Sequence, residues 1–263
     1  MTQLNYKVLG EPSGIPLIIL HGLFGSLDNW QYLAKRWAQM GFQVFSIDQR
    51  NHGKSPHINN QPHDYPTLAH DLHDFMAHHE LDSAIIIGHS MGGKVAMQFG
   101  HFYPNMVKQL IIVDMAPRLY KGGHEDVFQA IESLDLTHIQ SRNQIHLHLT
   151  SHHLEEGVIQ FLLKNITRNT DGHFTWKMNF PILKKYYQAI LENIEQAPFA
   201  PEFPTLFVYG KASNYVNPKD TEIYKTFFPN LKLEGIEGAG HWVHAENPED
   251  FFEAVTEFIN ANK

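Results

Sequence analysis

The sequence contains no cysteine among its 263 residues. This absence excludes a disulfide framework, a thiolate zinc site and a cysteine nucleophile. Positive charge is also scarce, since 20 Lys and Arg residues stand against 28 Asp and Glu residues, for a formal net charge of -8. A protein that follows the nucleic-acid backbone needs a basic face to release counterions. We therefore expect no nucleic-acid partner.

Long hydrophobic runs are missing as well. No apolar run approaches the roughly 20 residues that a bilayer-spanning helix needs. The first residues, Met1 to Lys7, lack the apolar core of a secretory signal peptide. We therefore expect a cytoplasmic protein with no membrane partner. Hydrophobic residues make up 43% of the chain and charged residues 18%, which is typical of a globular fold.

An apolar run at residues 84–87 breaks at a glycine and leads through a serine into a helical pattern, in the motif Gly88-x-Ser90-x-Gly92. A serine in a strained turn crowds the residues two before and two after it, and glycine removes the obstructing side chains. Such a nucleophile elbow lifts the serine hydroxyl above the end of the sheet. A glycine-rich strand-to-helix connection with an incidental serine would have the same sequence pattern. The surrounding sequence must therefore distinguish it from a nucleophile elbow.

Predicted strands alternate with predicted helices over most of the chain. Continuous apolar runs predict strands over residues 15–20, 42–47, 84–87, 107–113, 205–209 and 231–236. Apolar residues at helical spacing predict helices over residues 28–40 and 68–76, and Asn247-Pro248 opens a last helix. This rhythm is typical of an α/β fold, in which helices cover both faces of a parallel sheet. Active sites in such sheets lie beyond the carboxyl ends of the strands.

The alternation lapses for about eighty residues after Asp114, which is far longer than an ordinary connection. The stretch is mainly helical by pattern, with a brief strand-like alternation from Phe174 to Phe180. It leaves the sheet at a strand end, so we expect it to lie over the site as a cap. The predicted organisation is a core of residues 1–117 and 199–263 with a cap of residues 118–198.

Ser90 needs a base and an orienting acid, because a serine hydroxyl is a weak nucleophile at neutral pH. In proteins with this elbow the acid and then the histidine follow the serine along the chain. His241 follows the last predicted strand and is the expected base, whereas His244 is interpreted as a loop or core histidine. The usual acid position holds Ser213. Asp114 is therefore the predicted acid, and Asp220 is better explained as part of a helix start.

The developing oxyanion of an acyl-transfer reaction needs preset amide donors, each worth about 3 kcal/mol. The backbone amides of Leu23 and Met91 are expected to supply them, because they follow a glycine loop and the nucleophile. Apolar cap residues could line an acyl pocket or form the cap's own core. The residues predicted to contact substrate are Phe24, Phe161, Trp176 and Trp242.

The histidine-rich part of the predicted cap raises the question of a metal site. His146, His148, His152 and His153 lie close together in the sequence. A zinc site normally adds a distant third ligand and groups that orient the ligands. We interpret these histidines as surface residues and expect neither a metal nor another cofactor.

Six segments together resemble the α/β-hydrolase superfamily, and more closely the YbfF-type bacterial esterases. They cover residues 21–29, 50–53, 88–94, 114–117, 155–164 and 238–246. The resemblance implies a mostly parallel sheet of the eight-stranded type and an acid at the end of the strand before the cap. It also implies hydrolysis of short- to medium-chain acyl esters without a metal.

The residues and the resemblance together predict a serine carboxylesterase that acts on a small-molecule acyl ester through Ser90, His241 and Asp114. The same triad could serve an acyl-CoA thioesterase, a carbon–carbon bond hydrolase or a lyase. Dehalogenases and epoxide hydrolases of this fold use an aspartate nucleophile, so Ser90 argues against both. A noncatalytic ligand-binding protein on the same scaffold is the alternative from another class.

Overall fold

One seven-stranded sheet organises the protein in a computed structural model that describes residues 2–198 and 200–263. The strands, in chain order, are β1 (Tyr6–Leu9), β2 (Ile15–Leu20), β3 (Phe42–Ile47), β4 (Ala84–His89), β5 (Val107–Val113), β8 (Thr205–Gly210) and β9 (Leu231–Ile236). Two short strands, β6 (Ile166–Arg168) and β7 (Phe174–Trp176), pair separately. Met1 and Phe199, the first residues of the two predicted core segments, lie outside the described residues.

The strand order is β1-β3-β2-β4-β5-β8-β9, and every neighbouring pair is parallel except β1 with β3. All six strands predicted from apolar runs are present, and the α/β fold class is confirmed. The described part of the chain shows seven strands in this sheet, where the resemblance implied the eight-stranded type. Strand β1 escaped prediction because it is a largely exposed edge strand, with Tyr6 40% and Val8 43% exposed.

Helices cover both faces of the sheet. They are α1 (Gln31–Gln39), α2 (Tyr65–His78), α3 (Met91–Phe102), α4 (Glu125–Glu132), α5 (Arg142–Ser151), α6 (Glu156–Lys164), α7 (Phe180–Lys185), α8 (Tyr187–Leu191), α9 (Thr221–Phe227), α10 (Val243–Glu246) and α11 (Pro248–Ala261). Helices α2, α3 and α9 contribute to one hydrophobic cluster, and α1 and α11 contribute to a second one on the other face. Asn247 caps α11 as predicted, because its side-chain oxygen accepts a hydrogen bond from the Asp250 amide at 3.3 Å.

The predicted cap lies between β5 and β8 and contains helices α4 to α8 with the β6-β7 hairpin. These elements share a third hydrophobic cluster, which is separate from the two clusters on the sheet. Within residues 2–198 and 200–263, no helix combines the length and the hydropathy of a membrane-crossing segment.

Lys94 links the helix after the elbow to the end of the cap. Its side chain is fully buried, and its ammonium group donates hydrogen bonds to the carbonyls of Leu191, at 3.1 Å, and of Glu192. The ammonium also lies 4.8 Å from the centre of the Tyr120 ring, which stabilises the positive charge. Burial lowers the pKa of Lys94 to about 7. This contact fixes where the cap returns to the sheet.

Candidate active site

Ser90 lies in a sharp turn between β4 and α3, with φ 53° and ψ -118°. Backbone of this kind strains any residue that carries a side chain. The Ser90 amide donates a hydrogen bond to the Val113 carbonyl of the neighbouring strand at 3.1 Å. A Cβ at Gly88 would lie 2.2 Å from the Gly92 carbonyl oxygen, and a Cβ at Gly92 would lie 2.5 Å from the Leu20 carbonyl oxygen. Both positions therefore require glycine, as the motif predicts.

A cavity of about 690 Å³ lies between the carboxyl ends of the strands and the cap. Ser90 and His241 line it together, although 151 positions separate them in the sequence. Leu23 and Met91, the predicted oxyanion donors, line the same cavity. The structure therefore brings four of the predicted site residues to one place.

Asp114 lies directly behind His241. The His241 Nδ1 donates a hydrogen bond to Asp114 Oδ2 at 2.7 Å. Asp114 is fully buried at the end of β5 and has a left-handed backbone, with φ 49°. The Ser213 hydroxyl donates to the same carboxylate oxygen at 2.5 Å, and the Gly210 amide donates to Oδ1 at 3.3 Å. The residue in the usual acid position thus supports the carboxylate of Asp114.

Burial sets the protonation of this pair. It lowers the pKa of the His241 imidazole to about 3, and the nearby His124 acts in the same direction. The ring is therefore neutral at pH 7 and able to accept a proton. Burial raises the pKa of the Asp114 carboxyl to about 7, whereas the hydrogen bonds from Ser213 and Gly210 lower it. These two donors favour the carboxylate that accepts the hydrogen bond of His241.

Two residues that the sequence did not reveal hold the His241 loop. The Tyr215 ring stacks on the imidazole with 3.8 Å between ring centres and 17° between planes. Glu246 accepts hydrogen bonds from the amides of Gly240, at 2.5 Å, and Trp242, at 3.3 Å. These contacts fix the loop on both sides of His241. A carboxylate five residues after a glycine-flanked histidine was the available signal for Glu246.

The alternative base and the alternative acid lie elsewhere. The His244 ring is buried and stacks on Trp30 with 4.1 Å between ring centres and 6° between planes, so it is a core histidine as expected. Asp220 ends the short turn Pro218–Asp220 and immediately precedes α9, again as expected. Among the described residues, no hydrogen bond joins Asp220 to His241.

The Ser90 hydroxyl and the His241 Nε2 share the cavity, but no hydrogen bond within 3.5 Å joins them in the described part of the chain. Catalytic hydrogen bonds are often long in unliganded enzymes and shorten when substrate binds.

The predicted oxyanion donors differ in how they are held. Met91 is the first residue of α3, where the amide has no partner within the helix and the helix dipole favours negative charge. The Leu23 loop lies directly against the elbow, since a Cβ at Gly22 would lie 3.1 Å from the Ser90 Cβ. In residues 2–198 and 200–263, the Leu23 amide donates no hydrogen bond. Both amides are thus available to an acceptor in the cavity.

Three of the four residues predicted to contact substrate line the cavity, namely Phe24, Phe161 and Trp242. The rings of Phe161 and Trp242 contact each other, with 5.6 Å between ring centres. Trp176 is not among the residues that line this cavity, so its contact with substrate stays a prediction. Trp176 ends β7 and packs against the cap's own hydrophobic cluster. The cap sequence alone could not separate these two environments.

Two of the cap histidines contact the same serine hydroxyl. His148 Nε2 and His152 Nε2 lie 3.1 and 3.0 Å from the Ser133 hydroxyl. The described residues contain no group of three or more His, Cys, Asp or Glu side chains arranged to hold a metal ion.

Residues 15–248 match the family model of the alpha/beta hydrolase fold. The chain belongs to the α/β-hydrolase family. It is 37% identical over 246 residues to esterase YbfF of Escherichia coli (strain K12), with 93% of each chain covered. It is 36% identical over 265 residues to the sn-1-specific diacylglycerol lipase ABHD11 of Mus musculus. That alignment covers 97% of this chain and 85% of the lipase.

A solved structure named "Marine microorganism esterase" has the same fold with a TM-score of 0.94 at 41% sequence identity, covering 98% of this chain and 100% of that chain. The resemblance to YbfF-type bacterial esterases is therefore confirmed. The relatives are named as esterases and a lipase, and the chain is a hydrolase of the α/β-hydrolase family.

Proposed function

We propose that this α/β hydrolase is a serine carboxylesterase for short- to medium-chain acyl esters. The hydrogen bond between His241 and Asp114 is the observation that supports the proposal most, because an oriented imidazole that lines the cavity of Ser90 is what the proposed reaction needs. An esterase needs this arrangement, and a ligand-binding protein does not.

The reaction follows from the roles of these groups. The Ser90 Oγ attacks the ester carbonyl carbon while the His241 Nε2 accepts the hydroxyl proton. The negative charge that forms on the carbonyl oxygen is stabilised by the amides of Leu23 and Met91. The imidazolium then gives its proton to the departing alcohol, which leaves an acyl group on Ser90. Asp114 stabilises the positive charge on His241 during both transfers.

Hydrolysis of the acyl group repeats these steps with water. His241 accepts a proton from the water as its oxygen attacks the acyl carbonyl, and the same two amides again stabilise the oxyanion. The proton returns to the Ser90 Oγ when the carboxylic acid leaves. Every proton transferred in the cycle is thereby accounted for, and no cofactor is required.

The walls of the cavity support the substrate class. Phe161 and Leu162 of the cap line the cavity, and Met115 and Ile190 add further apolar surface. A cavity of about 690 Å³ has the size of typical small-molecule sites. We therefore expect an acyl chain to be bound by burial of apolar surface. The division into a core of residues 1–117 and 199–263 and a cap of residues 118–198 remains part of this proposal, as does a cytoplasmic location.

Steady-state hydrolysis of p-nitrophenyl esters of graded acyl length tests the proposal. We expect Ser90→Ala to lose turnover by at least about 10⁴-fold, because the nucleophile is gone. Asp220→Asn is the matched control and should keep wild-type rates. Activity of Ser90→Ala close to that of the wild type would contradict the proposal. A rate preference for acyl-CoA thioesters or diketones over matched oxygen esters would instead favour a thioesterase or a carbon–carbon bond hydrolase.

A further inference from the structure

Phe24 follows the proposed oxyanion donor Leu23 and has a left-handed backbone, with φ 60°. This conformation costs on the order of 1 kcal/mol or more for a residue with a bulky side chain. Surrounding contacts must therefore hold Phe24 in place. The residue is only 3% exposed, and its amide, its carbonyl and its side chain each have a separate partner.

The amide is held from the core. The Phe24 N–H donates a hydrogen bond to the His52 Nε2 at 3.3 Å. The other ring nitrogen of His52, Nδ1, donates to the Arg50 carbonyl at 3.0 Å, which leaves Nε2 as the acceptor. Burial lowers the pKa of His52 well below its usual value, so the ring stays neutral. His52 belongs to the segment Arg50-Asn51-His52-Gly53, to which the proposed reaction gives no part.

The carbonyl is held from the cap. The Asn165 side-chain amide donates a hydrogen bond to the Phe24 carbonyl oxygen. Asn165 lies directly after α6 and is 2% exposed. Its own carbonyl accepts a hydrogen bond from the Lys177 amide at 2.7 Å, which fixes it within the cap. The position of Asn165 therefore depends on the cap and not on the sheet.

The side chain of Phe24 also belongs to the cap. It is part of the cap's hydrophobic cluster, where its ring meets that of Phe128 edge-on with 6.0 Å between centres. The Phe180 ring lies 6.4 Å away. A residue of the oxyanion loop is thus enclosed by the cap, while its amide remains bonded to the core.

We propose that Asn165 and His52 are positioning residues that hold the Leu23 amide in the oxyanion hole by fixing Phe24 from the cap and from the core. The inference rests on the proposed function. Since Phe24 follows Leu23 directly, a shift of Phe24 turns the Leu23 amide away from the oxyanion. The cap accordingly contributes to turnover itself, in addition to substrate binding.

The first test compares two cap residues that both contact core loops. Asn165→Ala removes the donor to Phe24. Asn179→Ala removes a side-chain amide that donates to the Asn59 Oδ1 at 2.9 Å and to the Asn51 Oδ1 at 3.1 Å, and among the described residues it makes no hydrogen bond to Phe24. We expect Asn165→Ala to lower kcat by roughly 10- to 100-fold with KM within about threefold, because an oxyanion donor is displaced. Asn179→Ala should keep kcat within about threefold of the wild type.

Inhibition separates transition-state effects from binding. A trifluoromethyl ketone forms a tetrahedral adduct with Ser90 and places an oxyanion in the hole, whereas an ether analogue of the substrate has no carbonyl oxygen. Asn165→Ala should weaken inhibition by the ketone by the same factor as kcat/KM and leave inhibition by the ether unchanged. Equal losses in Asn165→Ala and Asn179→Ala, unchanged kcat in Asn165→Ala, or a change in KM alone would overturn the proposal.

If Asn165→Ala does not fold, as judged by its thermal unfolding, a pair of substitutions at His52 tests the same proposal through the hydrogen bond to the Phe24 amide. His52→Gln offers an amide oxygen to the Phe24 N–H, whereas His52→Leu offers no acceptor. We expect kcat of His52→Leu to be at least about 10-fold below that of His52→Gln. Equal kcat values would overturn the proposal. Ser90→Ala in the same assay keeps the two questions apart, since an active Ser90→Ala would contradict the proposed function and not the role of Phe24.

Discussion

Substitution of Ser213 tests how the ionised form of Asp114 is stabilised. Its hydroxyl donates to Asp114 Oδ2 at 2.5 Å, and the same oxygen accepts the hydrogen bond from the His241 Nδ1 at 2.7 Å. Ser213→Ala removes this donor and, among the described residues, leaves the Gly210 amide, at 3.3 Å, as the remaining donor to the carboxylate besides His241. The substitution therefore weakens the ionised form of Asp114 without touching the substrate.

The size of the effect follows from the hydrogen bond. A hydrogen bond to a charged group contributes about 1.5 to 3 kcal/mol, and about 1.4 kcal/mol corresponds to one pKa unit. The pKa of Asp114, already raised to about 7 by burial, should rise by a further one to two units, on the order given by these energies. His241 is oriented by the carboxylate form. Activity lost as the pH falls through the pKa of Asp114 should therefore be lost at higher pH in Ser213→Ala.

The assay is kcat/KM for a p-nitrophenyl ester as a function of pH, read at a wavelength where product absorbance does not depend on pH. The acidic side of the profile should move upward by about one unit or more in Ser213→Ala, with the rate at alkaline pH largely kept. Ser213→Thr retains the hydroxyl and is the control. A profile unchanged in Ser213→Ala, or one moved to lower pH, would refute this account of Asp114.

Three further predictions concern the acid, the elbow and the buried histidines. Asp114→Asn should lower kcat by about 10⁴-fold by favouring the wrong tautomer of His241, whereas a comparable loss in Asp220→Asn would move the acid. Gly92→Ala should destabilise the fold by about 2 kcal/mol or more in urea unfolding, since the new Cβ lies 2.5 Å from two carbonyl oxygens, and an unchanged midpoint would contradict the fit. Lowering the pH from 6.5 to 5.5 should reduce the free energy of unfolding by about 1 kcal/mol for each buried histidine that stays neutral, because that histidine gains a proton only in the unfolded chain. Asp114, which gains a proton in the folded chain, should offset the contribution of about one histidine. Equal unfolding free energies at the two pH values would contradict this reasoning for the histidines whose pKa burial lowers most, namely His52, His63, His89, His101, His241 and His244.

The sheet was predictable because parallel strands buried on both faces leave continuous apolar runs. The strands ending at Leu20, Ile47 and Val113 end where the runs predict. Strand β1 leaves no such run, since it has one neighbour and exposes much of its surface. The first predicted helix also begins differently, with a short turn at Leu27–Trp30 before α1. Local hydrophobic patterns in a sequence reflect the burial of side chains, and an exposed edge strand buries few of them.

The candidate site was predictable where spacing along the chain carries the geometry. The glycines around Ser90 and the strand end before Asp114 are of this kind. The stacking of Tyr215 on His241 and the bond from Asn165 to Phe24 join residues far apart in the sequence. Such contacts depend on how loops and cap meet in space. Trp176 illustrates the same limit, because an aromatic residue in the cap has the same local signal whether it faces substrate or the cap's own core.

Covalent trapping tests the central claim most directly. The protein is mixed with a fluorophosphonate that carries a short acyl-like chain, digested, and examined by mass spectrometry. We expect one phosphonyl group on the peptide that contains Ser90, formed in the wild type and lost in Ser90→Ala, with labelling strongly slowed in Asp114→Asn. Labelling of another serine, or none on an enzyme that still hydrolyses esters, would contradict the assignment of Ser90 as the nucleophile.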